Sequence, residues 1–128
     1  MIVLDASVLI AHLDGRDAHH ERAKRLLIDT GAEPLGAGTV SLAETLVAPA
    51  RAGRLAEANE ALERLGVAEL PMGRGGPSRL AQLRADTGCK LPDCCVLLAA
   101  QECDGIVATF DVSLTNAAAA LDLATLAG

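Results

Sequence analysis

The opening sequence MIVLDAS joins a short apolar strand pattern directly to the carboxylate of Asp5. Similar short runs recur at residues 34–38, 67–71 and 105–110, with a last one at 123–126, and stretches with helical periodicity separate them. Strands that alternate with helical connections are typical of a parallel sheet covered by helices on both faces. The pattern therefore predicts an α/β fold with five short parallel strands.

The segments between the strands predict seven helices from their apolar spacing. The expected ranges are 6–13, 17–29, a helix beginning near 39–41, 55–65, 78–87, 92–103 and 112–121. Pro49 is expected to end or kink the third helix, and Gly66 is expected to cap the fourth. No internal repeat or linker interrupts the pattern, so a single domain over residues 1–128 is predicted.

Composition predicts one compact domain in the cytoplasm. The 128 residues are 51% apolar, which is enough for one core. We find no secretory leader pattern, and no apolar run approaches the ~20 residues of a membrane span. The cysteines are expected to be reduced, small and buried rather than metal ligands. They are Cys89, Cys94, Cys95 and Cys103.

Four carboxylates are predicted to lie at one edge of the sheet. Asp5 and Asp111 follow the first and fourth strands, and Glu44 lies in the first turns of the helix after the second strand. Asp93 begins the helix that precedes the fourth strand. In a parallel α/β sheet these positions share an edge, because each strand end lies beside the start of the following helix.

Each acid also has a purely local explanation. Asp5 and Asp111 suit helix N-caps, Glu44 completes a capping box with Ser41, and Asp93 lies in a first helical turn. Taken together, and with the first and fourth strands as neighbours, the carboxylates would repel one another unless a cation lay between them. Carboxylate oxygens with open positions suit Mg²⁺, or Mn²⁺ in its place. Such a site performs phosphoryl chemistry.

Four segments, in this order and at this spacing, resemble the PIN-domain ribonucleases, and among them the VapC toxins of bacterial toxin–antitoxin pairs. The segments are MIVLDASVLIA, VSLAETL, LPDCCVLLAA and VATFDVSL. The resemblance covers nearly the whole chain. It implies a PIN-like three-layer fold with strand order 3-2-1-4-5, and Mg²⁺-dependent endoribonuclease activity that is toxic to the host cell. It also implies a homodimer and inhibition by a VapB-type antitoxin.

The resemblance also implies which residues form the site. The family's catalytic and metal-binding acids match Asp5, Glu44, Asp93 and Asp111. Asp5 and Asp93 are the foremost metal ligands in this assignment, and Ser7 and Thr109 match small hydroxyl residues that brace the site.

One position departs from the family pattern. Many members have a further acid where this chain has Ser113, which leaves open whether one or two ions bind. Asn116 is the alternative oxygen donor, with a solvated helix position as its simpler explanation.

The net charge of −6 argues, by itself, against nucleic-acid binding. Two divalent ions at the four acids would leave about −2 on the rest of the chain. RNA contacts are then expected from arginines, which pair with phosphate through two hydrogen bonds, although surface solubility also explains them. The candidates are Arg51, Arg54 and Arg74.

No base stacking is expected from this sequence. Phe110 is the only aromatic residue, and its place at a strand end assigns it to the core. His19 and His20 are assigned to an exposed helix rather than to a metal site, because adjacent helix residues diverge by about 100°.

Two other protein classes compete with the nuclease interpretation. A phosphoacceptor receiver domain expects paired acids after the first strand and a late lysine, whereas Asp5 stands alone and the last lysine is Lys90. That class is set aside. A catalytically silent PIN-like module that binds RNA or protein remains the alternative, and RNA cleavage with and without Mg²⁺ separates the two.

Overall fold

The computed structural model describes residues 1–126. Its strands are β1 (Ile2–Leu4), β2 (Leu35–Gly38), β3 (Val67–Leu70), β4 (Ile106–Ala108) and β5 (Thr125–Leu126). Its helices are α1 (Ala6–Leu13), α2 (His20–Asp29), α3 (Thr39–Arg51), α4 (Leu55–Leu65), α5 (Gly76–Thr87), α6 (Leu91–Cys103) and α7 (Val112–Ala120). The predicted order of elements is confirmed. No helix within the described range is long and apolar enough to cross a membrane.

The five strands form one parallel sheet in the order β3-β2-β1-β4-β5, which confirms the predicted topology. β1 is the central strand, and its Val3 lies opposite Gly36 of β2 and Val107 of β4. Ile2, Val3 and Leu4 are each at most 2% exposed. A central strand of a parallel sheet is buried on both faces, so its uninterrupted apolar sequence is expected.

Alternate residues of β1 pack against two different layers of helices. Ile2 and Leu4 belong to a core cluster that includes residues of α1, α2 and α4. Val3 belongs to a second cluster with residues of α5, α6 and α7. This division follows from the strand geometry, because successive side chains point to opposite faces of a sheet. The result is the predicted three-layer arrangement.

The start of α2 differs from the sequence-based expectation. The helix begins at His20 rather than at residue 17. The carboxylate of Asp14 accepts the Arg16 backbone N–H at 2.9 Å, and that of Asp17 accepts the His19 backbone N–H at 2.8 Å. Aspartates that bond the backbone two residues ahead stabilise turns and compete with a helix. Helical spacing alone did not reveal this competition.

α3 does not end at Pro49, which was one of the two effects predicted for this proline. α3 continues through this proline and ends two residues later, at Arg51. Pro49 lies in the last turn of α3, so its missing N–H removes a single hydrogen bond close to the end of the helix. Its carbonyl accepts the Arg54 backbone N–H at 2.8 Å and so helps to close that end. The predicted cap of α4 is confirmed, since Gly66 follows the helix in the left-handed region at φ 81°.

The four cysteines are free thiols, but they are not all buried. Cys94 is buried, Cys89 and Cys95 are half-buried, and Cys103 is exposed. Cys103 is the last residue of α6, where the helix reaches the surface and ends at Asp104 in the left-handed region. The expectation of four small core residues is therefore wrong for Cys103.

Candidate functional site

The four predicted carboxylates approach one another at the carboxyl-terminal edge of the sheet, where β1 and β4 are neighbours. Asp5 directly follows β1, and its backbone N–H donates to the carbonyl of Ala108 at the end of β4, at 3.0 Å. Asp111 follows β4, Glu44 lies in α3 and Asp93 lies in the first turn of α6. Electrostatic interactions join Asp5 to both Glu44 and Asp93, and join Asp93 to Asp111. Each acid therefore interacts with at least one other.

Asp5 is held by three hydrogen bonds that occupy both carboxylate oxygens. Oδ1 accepts the Ala6 backbone N–H at 2.8 Å. Oδ2 accepts the Ser7 hydroxyl at 2.8 Å and the Thr109 hydroxyl at 2.7 Å. The residue is only 8% exposed, so these donors replace the water that it loses on folding. Its carboxylate is thereby fixed in one orientation.

Ser7 and Thr109 connect Asp5 to the segment that follows β4. The Ser7 Oγ accepts the Phe110 backbone N–H at 3.2 Å, and the Thr109 Oγ1 accepts the Asp111 backbone N–H at 3.0 Å. Thr109 is fully buried. The two hydroxyls thus link the turn after β1 to the turn after β4, and they lie where a bracing role requires them.

Asp5 and Asp111 both cap helices, as their local explanation predicted. Asp5 precedes α1 and bonds its first N–H group. Asp111 precedes α7, and its Oδ1 accepts the backbone N–H groups of Ser113 at 2.8 Å and Leu114 at 3.3 Å. A capping carboxylate keeps lone pairs free for a further partner. Capping therefore does not exclude a role in the site.

The capping explanation fails for Glu44. α3 begins after Gly38, which is its N-cap and makes no side-chain capping bond. Ser41 and Glu44 therefore lie inside the helix and do not form the expected capping box. Asp93 lies in the first turn of α6, whose N-cap Lys90 likewise makes no side-chain capping bond. Capping bonds explain neither position, but Asp93 does lie in a first helical turn, as its local explanation predicted.

The electrostatics of the site disfavour charge on two of the acids. Glu44 is exposed as a residue, but partial loss of water around its carboxylate raises its pKa, and the carboxylates of Asp5 and Asp93 raise that pKa further. Burial also raises the pKa of Asp93, with contributions from Asp5 and Asp111 that Lys90 partly offsets. Raised pKa values from desolvation and a specific charge partner are typical of functional clefts. A cation among these carboxylates would remove the repulsion.

The proposed oxygen donors beyond the four acids lie at the rim of an open cleft. Ser113 and Asn116, both exposed and both in α7, line this cleft together with Asp93 and Asp111. The backbone N–H of Ser113 donates to the Asp111 carboxylate, and this bond keeps Ser113 at the rim of the cleft.

The three arginines predicted to contact RNA occupy different places. Arg54 lines an open cleft that also contains Glu44. Arg51 is exposed in the last turn of α3, and Arg74 is exposed in the loop between β3 and α5.

The sequence interpretation missed a contact that involves Phe110. This ring is half-buried, with one part packed against a core cluster, so its assignment to the core is only partly correct. Its centroid lies 5.3 Å from that of the His19 ring, and the Cζ atom of Arg22 lies 4.5 Å from the same Phe110 centroid. His19 and Arg22 are distant from Phe110 in the chain, and no local pattern indicates that they meet.

The donor set fits a hard divalent cation in its chemistry. All four side chains offer carboxylate oxygens, which Mg²⁺ and Mn²⁺ prefer, and burial together with the neighbouring acids raises the pKa of two of them. Within residues 1–126, no group of three or more histidine, cysteine, aspartate or glutamate side chains is already arranged as a metal-binding cluster. The carboxylates are therefore close enough to interact, but they are not converged on one point.

Comparison with a family model identifies the class of this protein. Residues 2–120 match the model of the PIN domain. The match covers most of the chain, so the chain belongs to the PIN-domain family. A search of the curated proteins found no match.

Solved structures with the same fold include several toxin–antitoxin proteins. A toxin–antitoxin complex from Klebsiella pneumoniae is 21% identical, with 87% of each chain covered and a TM-score of 0.73. VapC20 of Mycobacterium tuberculosis, a toxin that cleaves the sarcin–ricin loop, is 20% identical over 91% of this chain and 95% of its own, with a TM-score of 0.70. FitAcB of Neisseria gonorrhoeae is 22% identical over 98% of this chain and 96% of its own, with a TM-score of 0.73. At these identities the likeness shows the shared fold.

We expect Asp93→Asn to stabilise the metal-free protein at neutral pH. The folded state raises the pKa of Asp93 above its ordinary 3.8, so it holds the proton more tightly than the unfolded chain does. The ionised carboxylate therefore lowers stability as the pH rises above that value, and asparagine removes this effect. The gain should be present at neutral pH and should vanish as the pH falls through the ordinary aspartate range.

Urea unfolding in EDTA at neutral and acidic pH measures this effect. Asp122→Asn, at an exposed position outside the site, is the matched control. A lower unfolding free energy for Asp93→Asn than for wild type at neutral pH would contradict the electrostatic interpretation.

Proposed function

We propose that this PIN domain is a metal-dependent endoribonuclease that hydrolyses RNA phosphodiester bonds and acts as the toxin of a toxin–antitoxin pair in the cytoplasm. The observation that supports the proposal is the approach of Asp5, Glu44, Asp93 and Asp111 to the edge where β1 and β4 end, where burial and the other acids raise the pKa of Glu44 and that of Asp93. VapC20, which shares the fold, cleaves the sarcin–ricin loop, and this supports RNA as the substrate class.

In this proposal Asp5 and Asp93 would hold Mg²⁺ or Mn²⁺, with Glu44 and Asp111 beside them. The ion would supply Lewis-acid chemistry and lower the pKa of a bound water molecule. Asp5 contributes orientation, because the Ser7 and Thr109 hydroxyls keep its carboxylate in one place. A ligand that is already fixed loses little freedom when it binds, and fixed geometry is what a phosphoryl-transfer site requires.

Asp111 contributes in a different way. Its Oδ1 is engaged by two backbone N–H groups of α7, so the carboxylate is tied to the start of that helix. The Thr109 hydroxyl donates to Asp5 and accepts from the Asp111 backbone, and it therefore couples the positions of two acids. Glu44 and Asp93 lack such capping bonds, which leaves them free to adjust to a substrate phosphate and its counterions.

We expect the wild-type protein to cleave RNA in Mg²⁺ or Mn²⁺ and to stop in EDTA. Asp93→Asn should lower the cleavage rate by about two to three orders of magnitude, because it removes a charge from the reacting centre. Gel analysis of structured RNA measures both effects. Asp93 is a better choice than Asp5, since Asp5→Asn would also place an amide donor either against the two hydroxyls that donate to Oδ2 or against the Ala6 N–H that donates to Oδ1.

Asp122→Asn, an equivalent change at an exposed position, should cleave RNA as fast as wild type. Cleavage that survives metal removal would overturn the metal-dependent mechanism. A folded wild-type protein that cleaves no RNA in either metal would favour the catalytically silent alternative.

We also propose a VapB-type antitoxin as the partner. The solved relatives with this fold include toxin–antitoxin complexes. An open cleft runs between α1, α3 and α4, is lined by Ile10, Leu13 and Ala58 among others, and includes Glu44. Such a surface suits a segment that offers apolar side chains to the cleft and an arginine to the carboxylates.

The product of the gene next to the one that encodes this protein is the candidate antitoxin, and it provides the test of this partner. We expect this product to bind and inhibit the nuclease, and replacement of its carboxylate-facing arginine with alanine should weaken binding about tenfold or more and restore cleavage. Calorimetry and RNA cleavage measure the two effects. Full inhibition by the alanine variant would show that the cleft alone, without the carboxylates, accounts for the block.

A homodimer completes the proposal. Val47 of α3 and Leu55 of α4 are 45% and 43% exposed, and exposed apolar side chains on helices suit an interface between copies. Sedimentation at micromolar concentration should give twice the chain mass of 13.1 kDa. A mass equal to that of one chain would contradict it.

A further inference from the structure

Three side chains form a cluster beside the carboxylates. The Phe110 and His19 rings lie 5.3 Å apart between centroids with their planes at 42°, and the Cζ atom of Arg22 lies 4.5 Å from the centroid of the Phe110 ring. We call this group of His19, Arg22 and Phe110 the ring cluster. It joins the start of α2 to the turn after β4.

The ring cluster is tied to the same hydrogen bonds that hold Asp5. Phe110 lies between Thr109 and Asp111 in the chain, and its backbone N–H donates to Oγ of Ser7 at 3.2 Å. The Ser7 hydroxyl in turn donates to Asp5. The backbone of Phe110 is therefore held next to the acidic site, and its ring extends from there to His19 and Arg22.

The outer side of the ring cluster is polar and accessible. His19 and Arg22 are exposed, and Phe110 is half-buried. The part of Phe110 that packs against the core anchors the ring, while an imidazole and a guanidinium form the surface around it. All three groups are flat, and an unpaired nucleobase stacks on aromatic rings and on guanidinium planes of this kind.

The charge around the ring cluster also favours a nucleic acid. The chain carries a net charge of −6, yet four of its 11 lysines and arginines lie within residues 16–25. They are Arg16, Arg22, Lys24 and Arg25. The same segment also contains Asp17 and Glu21, so its formal charge is +2, and a locally positive segment in an acidic chain attracts a phosphate backbone. Arg22 is the member of this group that contacts the Phe110 ring.

We propose that the ring cluster binds an unpaired nucleotide of the RNA next to the phosphodiester that is cleaved. The base stacks against His19 and Phe110, and Arg22 binds an adjacent phosphate. The inference rests on the proposed ribonuclease function and adds to it a subsite for one unpaired base, formed by the ring cluster. Bases within a duplex are already stacked and are not available to the cluster.

A single-stranded oligoribonucleotide that contains 2-aminopurine tests this inference in EDTA, where metal-dependent cleavage does not contribute. Stacking quenches 2-aminopurine fluorescence, and the chain contains no tryptophan or tyrosine to obscure the signal. Wild-type protein should bind the oligonucleotide and quench it. Arg22→Gln and Phe110→Leu should each weaken binding about tenfold and reduce the quenching at saturation.

Arg25→Gln is the matched control, since it removes the same charge from the same exposed surface of α2 without touching the ring. This variant should change the affinity for the oligonucleotide less than twofold. A duplex of the same sequence should bind wild type and all the variants with similar affinity. A thermal unfolding curve of each variant checks that the variant is folded. If Phe110→Leu fails to fold, His19→Ala replaces it, because an exposed residue is removed with little effect on the core.

Equal losses for Arg22→Gln and Arg25→Gln would overturn the inference, because general charge would then explain the binding. Unquenched 2-aminopurine, or an oligonucleotide that does not bind to folded wild-type protein, would overturn it as well. The proposed ribonuclease function fails separately: the ring cluster would still bind and quench single strands, while no RNA would be cleaved in Mg²⁺ or Mn²⁺.

Discussion

The fixed position of Asp5 is the constraint on which the site depends. Asp5 directly follows the central strand, and its two oxygens take one backbone and two hydroxyl donors from both sides of the β1–β4 junction. Because β1 and β4 pair in parallel, the turns that follow them lie side by side, and Ser7 and Thr109 can reach the same carboxylate. The order of the strands thus determines both which hydroxyls can bond to Asp5 and where the acids lie.

The site divides its acids into two kinds. Asp5 and Asp111 are anchored by backbone N–H groups at helix starts, and these bonds stabilise the fold as well as the site. Glu44 and Asp93 make no capping bond, and burial beside other acids raises the pKa of each. The fold therefore accepts an electrostatic penalty at these two positions. Such a penalty is typical of functional sites, and the cation proposed above would relieve it.

Much of this arrangement was predictable because it follows local rules. Short apolar strands ending in polar residues predicted the sheet, and the shared edge of parallel strands predicted that Asp5 and Asp111 would both follow strands at that edge. The start of α2 was missed because Asp14 and Asp17 bond nearby backbone groups, which helical spacing does not report. The contact of Phe110 with α2 was missed for a different reason: it joins distant segments and depends on tertiary packing. The proposed nucleotide-binding role arises from that second, non-local kind of contact.

Binding of Mn²⁺ to the metal-free protein tests the central claim most directly, because it requires no substrate and no catalysis. The electron paramagnetic resonance signal of free Mn²⁺ reports the unbound ion during a titration. We expect saturable binding at one or two sites per chain, weakened about tenfold or more by Asp93→Asn or Glu44→Gln and unchanged by Asp122→Asn. Mn²⁺ binding that is absent from wild type, or that is equally strong in all of these proteins, would show that the four carboxylates do not form a metal site.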